Sequence, residues 1–283
     1  MTKEQIMQEA AALQEEIKSH RLWLHTHAET GFDLTETKPY VKSALTEMGY
    51  AVHECGKAGL VTTVGKPGGK VLLLRADMDA LPIAEEADVD FACKNGRMHA
   101  CGHDMHTAML LGAAKLLKAH ESELDGMVKL MFQPGEEMGY GSRTMVEDGL
   151  LENPRVDAAM ALHVGSQVEV GKLNYSPGVA SGAMATFIIS IQGKGGHSSE
   201  PQKTVDPVNI ATQVCSALNM LIPREVDPEA FATMTVGALN GGRASNIIPD
   251  TAEIMVSFRT LSPEAYDHLL VRIPEILDHY VSA

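Results

Sequence analysis

Residues 71–82 read VLLLRADMDALP: four consecutive apolar residues, followed at once by an arginine and two acidic residues. A short apolar run without polar alternation is typical of a strand that is buried on both faces of a sheet. In an open α/β sheet, ligand sites assemble at the carboxyl ends of such strands. We therefore predict a strand over Val71–Leu74 and a functional site that begins at Arg75.

The sequence around this strand predicts a layered arrangement. Apolar residues at helical spacing open the chain over residues 3–24, and a second helix is expected after Pro39. The stretch Gly65–Lys70 is interpreted as a hairpin turn. Further elements are predicted over Leu60–Val64, Val128–Phe132 and Ala158–Leu162 as strands and over Thr107–Leu117 as a helix. Strands alternating with helices indicate an α/β fold with a mixed, largely parallel sheet and helices on both faces.

A turn-forming tract at 175–178, Tyr-Ser-Pro-Gly, predicts a domain boundary, with a metal-binding catalytic domain over residues 1–177 and a smaller domain over 178–283. The smaller domain is expected to contain, in order, a strand, a helix, two strands and a helix, over Ala185–Gln192, Val205–Leu221, Phe231–Leu239, Thr251–Leu261 and Pro263–Val281. This order is that of an α+β ferredoxin-like unit without its last strand. The smaller domain is therefore expected to be incomplete.

Composition excludes several classes of partner. The 283 residues carry 37 acidic and 23 basic side chains, a formal charge of -14, without a basic run of the kind that binds a phosphate backbone. Apolar runs fall short of the roughly 18 residues that a membrane span needs, and the charged start does not resemble a signal peptide. We expect a cytoplasmic protein that binds neither nucleic acid nor membrane. Its four cysteines are expected to be reduced, which leaves Cys101 free to bind a metal.

Four clusters of reactive residues accompany the predicted strands: Arg75–Pro82, His99–Asp104, Gln133–Glu137 and His163. Together they supply a thiolate, imidazoles and carboxylates, a mixture that suits zinc or a similar divalent ion. Each has a structural alternative, because Cys101 resembles a small buried side chain, Glu136–Glu137 resembles an acidic first turn of a helix, and His163 resembles a core histidine. Their shared position at strand ends favours the metal site.

Glu136 and Glu137 are adjacent, so their side chains diverge at a strand end and can perform different tasks. One carboxylate can bind a metal while the other faces the substrate. A metal lowers the pKa of its bound water, and a nearby carboxylate can accept the proton and pass it to a leaving amine. The pair therefore indicates hydrolysis.

Four motifs together resemble the M20 metallopeptidase family: RADMDALP, HACGHDMHT, QPGEE and GKGGHSS. Within that family, the cysteine-containing motif Cys-Gly-His-Asp resembles the branch of hippurate hydrolases and N-acyl-amino-acid amidohydrolases. The resemblance implies metal-dependent hydrolysis of the amide bond of an N-acyl amino acid. It also implies two divalent ions in the complete site, with zinc expected and manganese, cobalt or nickel as alternatives. A homodimer paired through the small lid domain is a further implication.

The same resemblance assigns roles to individual residues. Glu136 would be the general base and acid, and Asp79 the carboxylate that supports the metal site. The metal ligands would be Cys101, His103, Glu137 and His163. Asp77 stands where other branches have a histidine, and we interpret it either as a residue that contacts a ligand or as a capping carboxylate at a strand end.

In the smaller domain the resemblance points to three residues. His197 would polarise the scissile carbonyl of a partner subunit's substrate, and Asn246 and Arg259 would contact the substrate. The alternatives are a loop imidazole beside permissive glycines for His197 and a surface ion pair for Arg259. Among the remaining histidines, His106 has no role in these motifs, and His25 is placed at the end of a surface helix.

Two other functions share the same metal residues. A dipeptidase or peptidase of the family would differ in what it accepts on the acyl side of the bond. A non-catalytic metal-binding or dimer-forming fragment is the third hypothesis, because the sequence is expected to end inside the strand-helix-strand-strand-helix unit. The resemblance also implies a further C-terminal segment of the catalytic domain with one more histidine ligand. His268 and His279 do not match that position.

Overall fold

Two compact units make up the chain, and each is described by itself. In this computed structural model, which describes residues 2–281, the first unit ends at Lys172 and the second begins at Leu173. The sequence predicts the boundary a few residues farther along, after residue 177. Both positions lie within residues 169–184, every one of which is exposed.

The helices of the first unit are α1 (Lys3–Ala12), α2 (Gln14–Thr26), α3 (Thr37–Glu47), α4 (His103–Ala119) and α5 (Gly141–Glu147). The helix predicted over residues 3–24 is thus divided at Leu13. A capping box begins α1, because the Thr2 hydroxyl accepts the N–H of Gln5 while the Gln5 side chain accepts the N–H of Thr2. α4 begins and ends within a few residues of its predicted bounds.

A five-stranded sheet forms the centre of this unit. Its strands are β1 (His53–Cys55), β2 (Gly59–Gly65), β3 (Val71–Asp77), β4 (Met127–Gln133) and β5 (Ala158–Ala161), in the spatial order β1-β2-β4-β3-β5. β3 is parallel to both β4 and β5, whereas β2 is antiparallel to β1 and β4. The sheet is therefore mixed and largely parallel, because β2 alone among these five strands runs against the others.

Helices cover both faces of the sheet. On one face, Leu130 and Phe132 of β4 pack against α2 and α4 in a core that includes Leu24 and Leu111. On the other face, Met131 packs against Met145 of α5. Burying each large apolar side chain of this kind contributes about 1.5–3 kcal/mol. The predicted α/β class is confirmed.

The hairpin turn predicted at Gly65–Lys70 is wrong. β2 and β3 are not neighbours, because β4 lies between them and pairs with both. A strand from a later part of the chain has inserted at this point, and local turn residues carry no information about such an insertion. The consequence for the site is that the ends of β3 and β4 lie side by side.

The second unit contains β6 (Ala183–Gln192), β7 (Gly196–His197), α6 (Pro207–Glu225), β8 (Ala232–Gly241), β9 (Ile247–Ile248), β10 (Thr251–Thr260) and α7 (Pro263–Val281). Its antiparallel sheet has the order β6-β10-β8, and β7 pairs with β9 in a separate two-residue ladder. Alternate residues of β10, including Ile254 and Phe258, are buried in a core with Leu218 of α6 and Leu269 of α7. Apart from the short ladder, the element order is the one that the sequence predicts.

Candidate metal centre

Three parallel strands end beside one another in the first unit and carry the predicted residues to one edge of the sheet. β3 ends at Asp77, β4 ends just before Glu136 and Glu137, and β5 ends just before His163. α4, which connects β3 to β4, begins at His103. The clusters that are separated in sequence therefore meet at the carboxyl ends of the strands.

His103 is almost completely buried, with 1% of its surface exposed. Its Nδ1 lies 2.7 Å from the backbone carbonyl oxygen of Asp79. A carbonyl can only accept, so Nδ1 carries a proton, and in the neutral ring Nε2 presents a lone pair. Nε2 has no hydrogen-bond partner among the described residues and lies 3.8 Å from a carboxylate oxygen of Glu136 and 3.8 Å from one of Glu137. The Nε2 atom of His103 is therefore positioned to bind a cation.

His163 has the same arrangement. Its Nδ1 donates to the carbonyl oxygen of Val164 over 2.6 Å, and its Nε2 lies 3.3 Å from the Sγ of Cys101. Burial, followed by the charge of Glu137, raises the pKa of the Cys101 thiol to about 11. A bound cation would reverse that preference and favour the thiolate.

Asp79 is fully buried and acts on the backbone of the two glutamates. Its Oδ1 accepts the N–H of Glu136 over 2.9 Å, and its Oδ2 accepts the N–H of Glu137 over 3.2 Å. Hydrogen bonds to a buried charged group are stronger than neutral ones. One carboxylate thereby holds both glutamates in place.

The carboxylate of Asp77 contacts side chains of the site, whereas that of Asp79 binds backbone N–H groups. Its Oδ1 accepts a hydrogen bond from Nδ1 of His106 over 2.6 Å. Its Oδ2 lies 2.8 Å from Nη1 of Arg75, without hydrogen-bond alignment, and 3.6 Å from Nε2 of His103. Burial opposes the charged carboxylate, but the hydrogen bond from His106 and the positive charges of His103 and Arg75 outweigh it and lower the pKa of Asp77 to about 2. The Asp77 side chain therefore lies beside His103, a proposed ligand, and is hydrogen-bonded to His106.

Two histidines in this region have no role in the sequence motifs. His106 lies one helical turn after His103, a spacing that places both on one face of α4 and could have revealed it. His25 lies near the end of α2, as the sequence predicts, but its side chain is buried, with 4% of its surface exposed. Its Nδ1 lies 2.8 Å from Oδ2 of Asp104 and its Nε2 lies 3.0 Å from Oε1 of Glu85. No local pattern connects these three residues, which lie far apart in sequence.

The donors present fit a divalent ion. Among the residues that the structure describes, three groups have ligand atoms within 4.8 Å of one another. His103 belongs to all three; the other members are Cys101 with His163, Glu136 with Glu137, and Asp77 with His106. Sulfur, imidazole nitrogen and carboxylate oxygen together suit zinc and similar borderline ions. The unpartnered, buried Nε2 of His103 supports the same conclusion, because burying such an atom without a partner is costly.

In the second unit, His197 and Asn246 are brought together. His197 in β7 pairs with Ile247 in β9, and the N–H of Ser198 donates to the carbonyl oxygen of Asn246 over 3.1 Å. The His197 Nδ1 lies 2.7 Å from the Ser199 hydroxyl. Both His197 and Asn246 are exposed.

The glycines before His197 allow the backbone to approach closely. A Cβ on Gly195 would lie 2.7 Å from the carbonyl oxygen of Ile248. The N–H of Gly195 also donates to Oδ1 of Asp250 over 2.9 Å. The tight loop therefore needs glycine at this position.

Arg259 lies at the other end of β10, opposite Met184 and Thr233. Its exposed side chain forms no ion pair within residues 2–280, so the surface ion pair proposed as its alternative is not observed. At about 3.3 Å per residue, the eight steps from Thr251 separate it by roughly 26 Å from the strand end that adjoins Asn246. Within one chain, Arg259 does not join the other two residues.

Comparison with known proteins gives a consistent result. The sequence profile of peptidase family M20/M25/M40 matches residues 73–269. IAA-amino acid hydrolase ILR1-like 5 of Arabidopsis thaliana is 42% identical over 256 residues, which cover 90% of this chain and 58% of the plant protein. Hippurate hydrolase of Campylobacter jejuni is 39% identical over 262 residues, covering 92% of this chain and 68% of that protein.

The fold also matches a solved structure, that of a dinuclear metal binding peptidase of the M20 family from Bacillus subtilis. The TM-score is 0.77 at 31% sequence identity, and the match covers 96% of this chain and 71% of the other. This chain spans less than two thirds of the length of the plant relative. Across residues 2–281, none of the helices combines the length and the apolar character that crossing a bilayer requires.

Proposed function

Because the chain belongs to peptidase family M20/M25/M40, we propose that it hydrolyses the amide bond of N-acyl amino acids in a metal-dependent reaction. The products would be a carboxylic acid and a free amino acid. The observation that carries this proposal is the adjacent pair Glu136 and Glu137, fixed by Asp79 and directed at the free nitrogen of His103.

The exposure of the two glutamates supports different roles. The Glu136 side chain is 40% exposed, whereas that of Glu137 is 24% exposed. The more accessible carboxylate is the one that a substrate can reach, so Glu136 is assigned as the general base and acid. Glu137 is assigned as a metal ligand with Cys101, His103 and His163.

The residues of this chain then act in a defined order. A divalent ion held by the four ligands would supply Lewis acidity and activate water for attack on the acyl carbonyl. Glu136 accepts the proton of the attacking water and delivers it to the nitrogen of the departing amine. Asp79 keeps Glu136 within reach by holding its backbone N–H. His197 would donate to the carbonyl oxygen of a partner subunit's substrate as negative charge develops there.

The names of two relatives support the proposed substrate class. One relative bears the name of a hydrolase of IAA-amino acids and another that of a hippurate hydrolase, and both names denote an aromatic acyl group on an amino acid. A dipeptidase is the second candidate, because the similar Bacillus subtilis structure is titled a peptidase.

The test is a parallel assay of the purified protein loaded with zinc, manganese, cobalt or nickel. Hippurate, an indole-acetyl amino acid and an unblocked dipeptide are offered at equal concentration, and the released amino acid is measured. Cleavage of the acylated substrates alone supports the proposal, whereas cleavage that requires the free amine indicates the dipeptidase. Bound metal with no turnover of any substrate would contradict both and favour a non-catalytic metal-binding protein.

We further propose two ions per complete site. Zinc is the expected metal, because Cys101 supplies a thiolate. Replacing Cys101 with Ser should shift the binding preference from thiophilic ions toward manganese. Unchanged zinc affinity would exclude Cys101 as a ligand. A reducing, cytoplasmic location suits this role, since Cys101 must remain a free thiol and forms no disulfide with the other described cysteines.

A homodimer formed through the second unit is also proposed. Its support is that His197 and Asn246 are exposed together, and that β6 and β8 are edge strands available for pairing with a second copy. Two inactive variants, Glu136→Gln and His197→Ala, are mixed under conditions of subunit exchange. Activity should reappear, because a mixed dimer would contain one intact pair. No recovery after verified exchange would mean that His197 does not serve a partner.

A further inference from the structure

His106 lies at the centre of the proposed metal site and offers its ligand atoms to one of the three donor groups. The geometry points to a different role: His106 is a positioning residue that fixes the end of β3 and the segment after β5, and it is not a metal ligand. This inference rests on the proposed metal centre.

The two ring nitrogens of His106 are both occupied. Nε2 accepts the N–H of Val164 over 2.9 Å, and Nδ1 lies 2.6 Å from Oδ1 of Asp77. A backbone N–H can only donate, so Nε2 uses its lone pair there and the proton resides on Nδ1, where it is donated to Asp77. No lone pair remains for a cation.

His103 and His163 differ from His106 in this respect. Each donates from Nδ1 to a backbone carbonyl oxygen, which leaves Nε2 with a lone pair directed at other donors. The hydrogen-bond partners therefore distinguish the two proposed ligands, His103 and His163, from His106, which positions them. Carbonyls and carboxylates commonly orient metal-bound histidines in this way.

The partners of His106 show what it positions. Val164 follows His163 directly, and the rings of His106 and His163 are 4.7 Å apart in an edge-to-face arrangement. Val164 also packs on Gly102, where any Cβ would collide with its side chain. Asp77 is the last residue of β3 and lies beside His103. One buried imidazole, 3% exposed, thus sets the spacing between the two ligand histidines.

The experiment uses two substitutions that each preserve half of these contacts. In His106→Asn the amide nitrogen can replace Nδ1 and donate to Asp77, whereas in His106→Gln the amide oxygen can replace Nε2 and accept from Val164. Thr107→Val is the matched control, since its hydroxyl donates to the backbone oxygen of Asp77 over 2.7 Å at the same helix–strand contact. Thermal melts verify that all three variants fold.

Metal content, affinity by chelator competition and the absorption of the cobalt-loaded protein are measured for each variant. Both His106 variants should reach the wild-type metal content with an affinity reduced by about 10- to 100-fold, as is typical when a partner of a ligand is lost. The thiolate-to-cobalt band should persist in His106→Gln and weaken in His106→Asn, because only the former supports the His163 segment. Thr107→Val should match the wild type in both readouts.

Three outcomes overturn the inference: loss of an ion from the saturated variants, unchanged affinity, or identical spectra for the two His106 variants. Hydrogen exchange of the segment around Val164 in metal-free protein gives an independent readout. Exchange in this segment should accelerate in His106→Asn and not in Thr107→Val. Equal exchange in these two variants would also overturn the inference. Failure of the wild type to bind any metal would instead contradict the proposed function.

Discussion

The two units hold their candidate residues in opposite ways. In the first unit, at most 1% of the surface of Asp79 and of His103 is exposed, and hydrogen bonds join both to other residues of the site. In the second unit, His197 and Asn246 are exposed and held mainly by the short β7–β9 ladder. The buried residues are held by partners within their own unit, whereas the exposed ones leave their polar atoms available to a substrate or a second chain. The difference supports the proposal that the first unit organises the chemistry and the second contacts the substrate.

The largest expected effect comes from removing the proton-transfer group of the first unit. Glu136→Gln should lower turnover by about 100- to 10,000-fold, because the amide keeps the shape but cannot transfer a proton. Its metal content should stay near that of the wild type. Steady-state kinetics and elemental analysis provide the two measurements.

Glu137→Gln is the matched control for Glu136→Gln, and it should weaken metal binding instead. If Glu136→Gln loses metal and Glu137→Gln does not, the roles of the two glutamates are exchanged. Activity of His197→Ala below that of Glu136→Gln would reverse the proposed division of labour between the units.

Asp79 and Asp250 provide a second comparison, since each accepts backbone N–H groups next to a candidate residue. Asp79→Asn keeps one acceptor oxygen but turns its NH2 group toward one of the two backbone N–H donors in a buried site, and it should cost about 1.5–3 kcal/mol. This predicts roughly 10- to 100-fold faster hydrogen exchange at Glu136 and Glu137. The exposed Asp250→Asn retains an acceptor and should change exchange at Gly195 little. Equal effects of the two substitutions would contradict the contrast between the units.

Glu29 makes the stability of the first unit depend on pH. Its carboxylate, 6% exposed, accepts the N–H groups of Glu36 and Thr37 at the start of α3. Burial opposes its charge, but these hydrogen bonds outweigh burial and lower the pKa of Glu29. The resulting stability is complete above the unfolded pKa of about 4.3 and is lost as the pH falls through the folded pKa.

Glu29→Gln should therefore destabilise the first unit by about 1.5 kcal/mol at pH 7 and by much less in acid. Fluorescence of Trp23, the single tryptophan of the chain, follows this unfolding because its ring stacks on Tyr40 of α3 at a centroid distance of 3.7 Å. A difference between variant and wild type that persists unchanged at pH 3 would show that Glu29 stabilises α3 without its charge.

The smallest effect is expected at the start of α6 in the second unit. The side chain of Asp206 accepts the N–H groups of Val208 and Asn209 as an N-cap. Asp206→Ala should cost about 1 kcal/mol, and Asp206→Asn should restore most of it, because asparagine caps nearly as well. Hydrogen exchange in the first turn of α6 measures both. A larger cost here than at Asp79 would mean that the second unit is the more tightly organised.

Much of the site was accessible to sequence reasoning, because strands and their terminal residues are contiguous. The strand at Val71 and the clusters after it were placed correctly at the sheet edge where they meet. The buried contacts of His25 were not predicted, since its partners Asp104 and Glu85 come from segments far away in the chain. The predicted turn at Gly65–Lys70 was wrong for the same reason, as β4 enters between the two strands that it joins.

The sequence by itself determined which donor atoms this protein possesses and at which strand ends they stand, because residue type and strand position are local properties. The tertiary structure decided what each donor does. His103 and His106 are one turn apart and chemically identical, yet a carbonyl of Asp79 leaves the first with a free nitrogen while the N–H of Val164 occupies the second. Those partners come from the segments that follow β3 and β5, so the state of each ring is set by the packing of the sheet against α4.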